Sequence, residues 1–237
     1  MNIEIKNLSK SFGEVSVLKN ISMNIKDKKS TIILGKSGCG KSVLLKIIYQ
    51  LINCDEGEVL YGKNKEIDID TFGMLFQYGA LFDSLTVAQN IAFIDHINGI
   101  TSYKNKVLLS MKDVGLDSIN YDKFPSEISG GMKKRVALAR AIYKNPKVIF
   151  LDEPTTGLDP INSDMINELI LRIIKKKKMT AITITHDIQS ALKTGDEFFF
   201  INDGIVECHG NCSEMLKIKN LKLDEFLAGV KKLQKTR

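Results

Sequence analysis

The sequence predicts an α/β fold: a core with a mixed sheet, an antiparallel β subdomain and an inserted helical subdomain. Three observations support this prediction. Apolar and polar residues alternate near the start, at Ile3, Ile5 and Leu8, as they do in half-buried strands. A glycine-rich turn and a helical pattern follow the short apolar segment 31–34. Residues from about 83 to 143 have helical apolar spacing, and apolar strands resume after them.

Strand and helix signals follow one another along the chain. Apolar segments predict strands at 17–25, 58–61, 73–76, 148–151, 180–184 and 197–201. The turn sequence Asn202-Asp203-Gly204 predicts a hairpin into a further strand at 205–208. Helical spacing predicts helices over 42–52, 104–114 and 131–143, with Asn53 ending the first. Thr86 and Gln89 form a capping box, Asp159-Pro160 opens another helix, and the chain is predicted to be helical from 211 onward.

The length of 237 residues is compatible with one α/β domain. We expect its core and β subdomain at about 1–82 and 144–237, and its helical subdomain at about 83–143. The net charge of +6 suits nucleic acid, an anionic membrane surface or phosphate ligands. The absence of Trp argues against stacking on many bases, and the run Lys175–Lys178 is interpreted as a solvated helix end. Nucleic acid is therefore not an expected partner.

The four cysteines do not form a disulfide pattern, and we expect free thiols. Cys208, His209 and Cys212 hint at a metal site, but a second ligand pair is missing. The N-terminus lacks a secretory signal, and no apolar run approaches the roughly 20 residues that span a bilayer. We therefore expect a soluble chain that only a partner would hold at a membrane.

A phosphate-binding loop is predicted between the strand at 31–34 and the next helix. The pattern is Gly, four residues, then Gly-Lys-Ser, in the strand–turn–helix context that a P-loop requires. Its backbone N–H groups and the positive helix end favour phosphate oxygens. Lys41 is expected to reach the β and γ phosphates, and the Ser42 hydroxyl to bind Mg²⁺. The predicted ATP-binding residues here are Gly35, Lys36, Ser37, Gly38, Cys39, Gly40, Lys41, Ser42 and Val43.

Two carboxylates end the apolar strand at 148–151. Ligands of doubly wound sheets lie at the carboxyl ends of strands, so Asp152 is predicted to face the Mg²⁺ region. Glu153 is predicted to polarise the water that attacks the γ phosphate. A carboxylate pair after a strand is often only the start of a loop. The presence of the phosphate loop in the same chain is what favours a catalytic role for this pair.

The order of these motifs resembles the ABC ATPases over nearly the whole chain. The resemblance implies that Phe12 stacks on adenine, that Gln77 senses Mg²⁺ and the attacking water, and that His186 contacts the γ phosphate. Ser129, Gly130 and Gly131 resemble the signature motif, which normally reads Leu-Ser-Gly-Gly-Gln. The segment 156–159, with Asp159, resembles the D-loop.

The signature motif departs from the family at two positions. Ile128 replaces Leu, and Met132 replaces Gln, so a side-chain amide is lost. Ser129 still has the residue type that caps a helix, whose N-terminus favours an anion. In this family the phosphate loop of one subunit faces the signature motif of the other. The resemblance therefore implies a homodimer that ATP holds together and that ADP loosens.

Subgroup residues point toward lipid transport. The run Gly79-Ala80-Leu81-Phe82 resembles the Mla/Mce phospholipid-transport ATPases, as do Met132, the segment 134–140 and the segment 226–229. That resemblance implies an integral membrane permease, a Mce-domain lipid-binding subunit, and a peripheral place on the cytoplasmic face of the inner membrane. After Gly229 only a short tail is present, so dimer contacts are expected to depend more on ATP.

Other ABC proteins are the alternatives. An amino-acid importer or a cell-division ATPase would share the chemistry and differ in its partner. A DNA-repair or chromosome ATPase would carry a long coiled coil or zinc module, and a translation factor would carry two phosphate loops. A non-hydrolysing binding module is disfavoured because Glu153 and His186 are both present.

Overall fold

The computed structural model describes residues 1–235, which form nine strands and eight α-helices. The strands are β1 (Ile3–Phe12), β2 (Val15–Ile25), β3 (Ser30–Leu34), β4 (Glu56–Tyr61), β5 (Phe72–Leu75), β6 (Val148–Asp152), β7 (Thr180–Thr185), β8 (Glu197–Asn202) and β9 (Ile205–Asn211). The helices are α1 (Lys41–Ile48), α2 (Val87–Ile91), α3 (Phe93–Ile97), α4 (Lys104–Asp113), α5 (Gly130–Ile142), α6 (Pro160–Lys177), α7 (Ile188–Thr194) and α8 (Leu221–Lys235). Thr236 and Arg237, the end of the predicted tail, lie outside the described residues.

The chain divides into two compact units. The first unit comprises residues 1–69 and the residues from 180 onward, and the second comprises residues 70–179. The four helices α2 to α5 fall within the stretch predicted to be a helical subdomain, 83–143, whose status as a subdomain stays a prediction. No helix among residues 1–235 is long and apolar enough to cross a membrane.

The first unit contains both kinds of sheet that the sequence predicts. Strands β2, β1 and β4 form an antiparallel sheet, because β1 pairs antiparallel with both of the others. Strand β3 lies between β7 and β8 and is parallel to both, while β9 runs antiparallel to β8. Every residue of β3 is buried, as expected for a parallel strand covered on both faces.

Helix α8 closes the apolar core of the first unit. Its residues Leu223 and Leu227 are fully buried in one cluster with Ile32 of β3 and Phe198 of β8. The free thiol of Cys212 lies in the same cluster, and burial raises the pKa of that thiol to about 12. Among the described residues, no group of three or more His, Cys, Asp or Glu is placed to hold a metal ion.

The first helix was predicted over 42–52, and the prediction of its C-terminal end was wrong. Helix α1 ends at Ile48, because Gln50 adopts a left-handed conformation with φ of +60°. The N–H of Gln50 donates to the carbonyl of Ile47 at 2.9 Å, and the N–H of Leu51 donates to that of Lys46 at 2.8 Å. This pair of bonds is the Schellman pattern that ends helices. Asn53 therefore has no part in ending it.

The second unit pairs β5 with β6 in parallel and carries the predicted helix caps. Thr86 accepts a hydrogen bond from the N–H of Gln89, and the Gln89 side chain accepts one from the N–H of Thr86, which confirms the capping box. Helix α6 ends at Lys177, so the lysine run does lie at a helix end. Two of its members are paired, because Lys176 and Lys177 both contact the carboxylate of Asp113.

Candidate functional site

Glycine is required at two positions of the loop between β3 and α1. A Cβ on Gly35 would lie 2.3 Å from the carbonyl oxygen of Ile201 and 2.6 Å from the Cys39 sulfur. Gly40 precedes α1 with φ of +101°, and its Cβ would lie 2.7 Å from a methyl carbon of Leu18. Neighbouring strands therefore fix the path of this loop, as a loop that presents backbone N–H groups to an anion requires.

The Lys41 side chain lies against the same loop. Only 7% of the residue is exposed, and its ammonium donates to the carbonyls of Gly35 and Lys36, both at 2.8 Å. Ser42, an exposed residue, follows in the first turn of α1, whose N–H groups have no acceptor within the helix. A buried cation, free helix N–H groups and a hydroxyl form a donor set that fits a polyphosphate and its Mg²⁺.

Two further predicted residues of the first unit are exposed. Phe12, at the end of β1, is 51% exposed, and the ammonium of Lys10 lies 5.4 Å from its ring centroid. His186 is also exposed, directly after β7. Its neighbour Asp187 is held on both sides, because its N–H donates to Thr185 and its carboxylate caps α7. The backbone next to His186 is therefore fixed.

In the second unit, Glu153 follows β6 in an unusual backbone conformation. Its φ is +48°, which L residues rarely adopt, and only 9% of the residue is exposed. The Thr156 hydroxyl donates to its carboxylate at 3.2 Å. Asp152, half-buried, is the last residue of β6. A left-handed non-glycine residue is one of the features found at functional sites, and the role of Glu153 stays a prediction.

The predicted signature motif opens helix α5. Ser129 precedes the helix, and its hydroxyl accepts from the N–H of Met132 at 3.3 Å, which confirms the predicted cap. Nothing lies within 4 Å of a Cβ placed on Gly130 or Gly131, so the start of the helix is open. Ile128, which directly precedes Ser129, is 8% exposed and lies in the core. This open N-terminus fits the predicted approach of an anion.

Asp159 makes the contacts of the predicted helix cap, which confirms that cap, whereas the contact of Gln77 was not predicted. The Asp159 carboxylate caps α6, accepting from the N–H groups of Ile161 at 3.1 Å and Asn162 at 3.0 Å. The hydrogen bonds from Asn162 lower the pKa of Asp159. Gln77, half-buried after β5, accepts a hydrogen bond at its backbone carbonyl from the Lys134 ammonium.

Within each unit, the structure thus brings some of the predicted residues together. The loop glycines and Lys41 form one group in the first unit, and Glu153 with Thr156 forms another in the second. The predicted roles of all these side chains toward ATP and Mg²⁺ stay predictions. Sequence reasoning missed Lys134 as a site residue. One signal was available: Lys134 lies three residues before Ala137 and four before Leu138, so the helical spacing places this lysine on the buried face of the helix.

The fold and three motifs define a nucleotide-hydrolysing protein of the ABC class. The motifs are a phosphate loop before a helix, a strand ending in two carboxylates, and a serine-capped Gly-Gly helix start. Residues 18–156, more than half of the chain, match the family model described as ABC transporter. The chain belongs to this family, and it is an ATP-binding subunit that hydrolyses ATP.

Two curated relatives differ in their transport role. The chain is 36% identical to the intermembrane phospholipid transport system ATP-binding protein MlaF of Haemophilus influenzae, over 96% of this chain and 90% of that protein. It is 34% identical to the sulfate/thiosulfate import ATP-binding protein cysA of Cucumis sativus, over 91% of this chain and 64% of that protein. The identities are therefore similar, but the likeness to MlaF covers more of the relative.

Solved structures agree with the fold. The chain is similar to cbiO1 of Clostridium perfringens, part of the ABC transporter complex cbiONQ, with a TM-score of 0.82, 30% identity and 98% coverage of both chains. It is also similar to an ATP-binding cassette solved as a dimer in a post-hydrolysis state with ADP and Pi. That likeness has a TM-score of 0.78 and 30% identity, over 89% of this chain and 98% of the other.

Proposed function

We propose that this chain powers a transporter of phospholipids of the Mla/Mce type. The observation that carries the proposal is the likeness to MlaF along almost the full length of both proteins. The run Gly79-Ala80-Leu81-Phe82 and Met132 in the signature motif support it, because the same subgroup resemblance rests on them.

An exposed apolar surface of the second unit supports a permease partner. Tyr78 is 83% exposed, and Phe82, 45% exposed, stacks on Phe93 with ring centroids 4.5 Å apart. Ile94 and Ile97 of α3 are 44% and 58% exposed. Clustered exposed apolar residues mark interaction sites. The proposed occupant is an integral membrane permease, accompanied by a Mce-domain subunit, which would hold the chain at the cytoplasmic face of the inner membrane.

The proposed chemistry assigns one task to each predicted side chain. Lys41 and the loop N–H groups bind the phosphates of ATP, Phe12 stacks on adenine, and Glu153 orients and deprotonates the attacking water. Ser42, Asp152 and Gln77 would hold Mg²⁺, which supplies charge stabilisation when bound. His186 is proposed to donate to the γ phosphate.

A homodimer completes the proposed cycle. Ser129, Gly130, Gly131 and Asp159 of one subunit are proposed to close on the ATP of the other, since an open helix N-terminus favours an anion. Hydrolysis removes the γ phosphate, and the loss of that charge loosens the dimer. The separation of the two copies would drive the permease.

The test is recovery of the chain from its own membranes in mild detergent, followed by mass spectrometry of its partners and extraction of bound lipid. A permease, a Mce-domain protein and enriched phospholipid are expected. The Phe82→Asp variant should lose the permease, because a charge would enter the apolar surface. Ile119→Asp, at a residue 74% exposed elsewhere in the same unit, should retain it. A permease recovered with a soluble solute-binding protein instead would refute the phospholipid assignment.

An importer ATPase is the second candidate. The likeness to sulfate/thiosulfate import proteins reaches 35% identity over 91% of this chain, close to the value for MlaF. The chemistry assigned to Glu153 and Lys41 would be unchanged, and only the partners would differ. Recovery of a solute-binding protein is the result that would favour this candidate.

A further inference from the structure

One face of helix α5 holds the segment 77–80 by its backbone carbonyls. The Lys134 ammonium donates to the carbonyl of Gln77. The Arg140 guanidinium donates to the carbonyls of Gly79 at 2.5 Å and Ala80 at 2.7 Å. Both cations lie on one helix, about two turns apart, so they hold the segment at its two ends.

The backbone before and within this segment lies directly against the same helix. A Cβ on Gly79 would touch the Cβ of Ala137 at 3.4 Å. A Cβ on Gly73, in β5, would lie 2.2 Å from the carbonyl oxygen of Ala141, which leaves room only for glycine. Packing and hydrogen bonds therefore act on the same stretch of chain, and small displacements of the helix must displace the segment.

Lys134 occupies a costly position for a cation. Only 8% of the residue is exposed, and a buried ammonium is tolerated only when it has partners. Its hydrogen-bond partner is the Gln77 carbonyl. Burial lowers the pKa of Lys134 below its usual range, although the negative charges of Asp152 and Glu153 act in the opposite direction. An apolar residue would pack on this helix face at lower cost, so the cation is explained better by what it holds than by packing.

We propose that Lys134 and Arg140 are positioning residues that make the segment 77–80 move as one body with the helix that opens at Ser129. Gln77 then keeps a fixed place relative to that helix. The inference rests on the proposed role of Gln77 in hydrolysis, and it adds the residues that set the position of Gln77.

The experiment compares Lys134→Met with Lys133→Met. Both variants remove one lysine charge from the same helix turn, but only Lys134 bonds to the segment 77–80. Hydrogen exchange of residues 77–82 in nucleotide-free protein is the first readout, since the N–H of Gly79 is bonded to the carbonyl of Phe76 at 2.9 Å. Lys134→Met is expected to speed this exchange about tenfold.

Steady-state hydrolysis is the second readout. Lys134→Met should lower kcat about tenfold and leave KM for ATP within about twofold, because the phosphate loop is untouched. Lys134→Arg keeps a donor at this position and should restore most of kcat. Lys133→Met should resemble the wild type in both readouts. If Lys134→Met does not fold, Arg140→Lys tests the other end of the segment, because it loses the paired donors to Gly79 and Ala80.

Each outcome decides between the possibilities. Unchanged exchange in Lys134→Met, or equal losses in Lys133→Met and Lys134→Met, overturns the proposal. Faster exchange with unchanged kcat would support the contact between Lys134 and the segment 77–80, but it would refute the importance of this contact for hydrolysis. A Gln77→Ala variant with the kcat of the wild type would contradict the proposed role of Gln77 alone, because the exchange readout requires neither ATP nor that role.

Discussion

Replacement of Glu153 by Gln tests the centre of the proposed chemistry. The residue is 9% exposed, its backbone has φ of +48°, and its carboxylate accepts a hydrogen bond from Thr156 at 3.2 Å. Gln has the same shape, and its amide oxygen still accepts from Thr156. The substitution therefore removes the negative charge and the basic oxygen with little change in packing.

The expected loss follows from the role assigned to the carboxylate. A positioned general base contributes about 10²–10⁴-fold, so kcat should fall by that factor, equivalent to about 3–5 kcal/mol. ATP binding should persist, because Lys41 and the loop glycines are untouched. Thr156→Val is the matched control: it removes one hydrogen bond, worth about 0.5–1.5 kcal/mol, so kcat should fall only about two- to tenfold.

Single-turnover phosphate release measures the chemical step, and size-exclusion chromatography in ATP measures dimer formation. Glu153→Gln should elute as a dimer in ATP and as a monomer in ADP. Turnover within about threefold of the wild type would show that Glu153 is not the base, since general-base catalysis contributes at least about 10²-fold. A variant that remains monomeric in ATP would contradict the proposed ATP-held dimer.

The remaining predictions concern the phosphate loop and the stability of the second unit. Gly35→Ala should weaken ATP binding by at least about tenfold and lower Tm, because its Cβ would overlap the Ile201 carbonyl at 2.3 Å, and overpacking costs about 1–3 kcal/mol. In Gly130→Ala nothing lies within 4 Å of the Cβ and the backbone is helical, so the loss of Tm should be smaller, and equal losses in a melting experiment would contradict the steric argument. Burial raises the pKa of Asp95, but hydrogen bonds from Lys144 and Tyr143 outweigh it and hold that pKa below its usual range. The carboxylate therefore stabilises the fold above about pH 4, and this stability is lost as the pH falls through the lowered pKa. Asp95→Asn should reduce the free energy of unfolding in urea at pH 7 and make it vary less below about pH 4, and identical pH profiles for the two proteins would refute the assignment.

Much of the fold could be predicted from the sequence, because turns and helix caps are determined by residues that are close together in the chain. The strand–turn–helix at Gly35–Ser42, the capping box at Thr86 and the cap at Asp159 each depend on residues within a few positions. The end of α1 did not follow from such signals. Its apolar spacing continues to Leu51, but Gln50 takes a left-handed conformation that the residue type does not suggest.

Tertiary contacts explain what sequence reasoning missed in the site. Lys134 and the Gln77 carbonyl that it holds are 57 positions apart, so no window of the sequence contains both. The backbone conformation of Glu153 could not be predicted from the sequence either, since a carboxylate after a strand is common and φ of +48° is rare. The roles of Gln77 and Glu153 could be predicted from the order of the motifs, whereas the contacts that orient these residues, and any part played by Lys134, required the fold.

The core beneath the phosphate loop has a consequence for synthesis on the ribosome. Ile32 and Leu34, which lead into the loop, pack in one cluster with Phe198, Leu223 and Leu227, all of which come more than 160 residues later in the chain. The first unit is thus assembled from the two ends of the chain, while residues 70–179 are continuous and emerge complete beforehand. At about 5–20 residues per second, the growing chain spends roughly 10–40 s between Leu34 and Leu227. During that interval the apolar strand beside the phosphate loop still lacks its cover, so chaperones have their clearest opportunity to bind the nascent protein there.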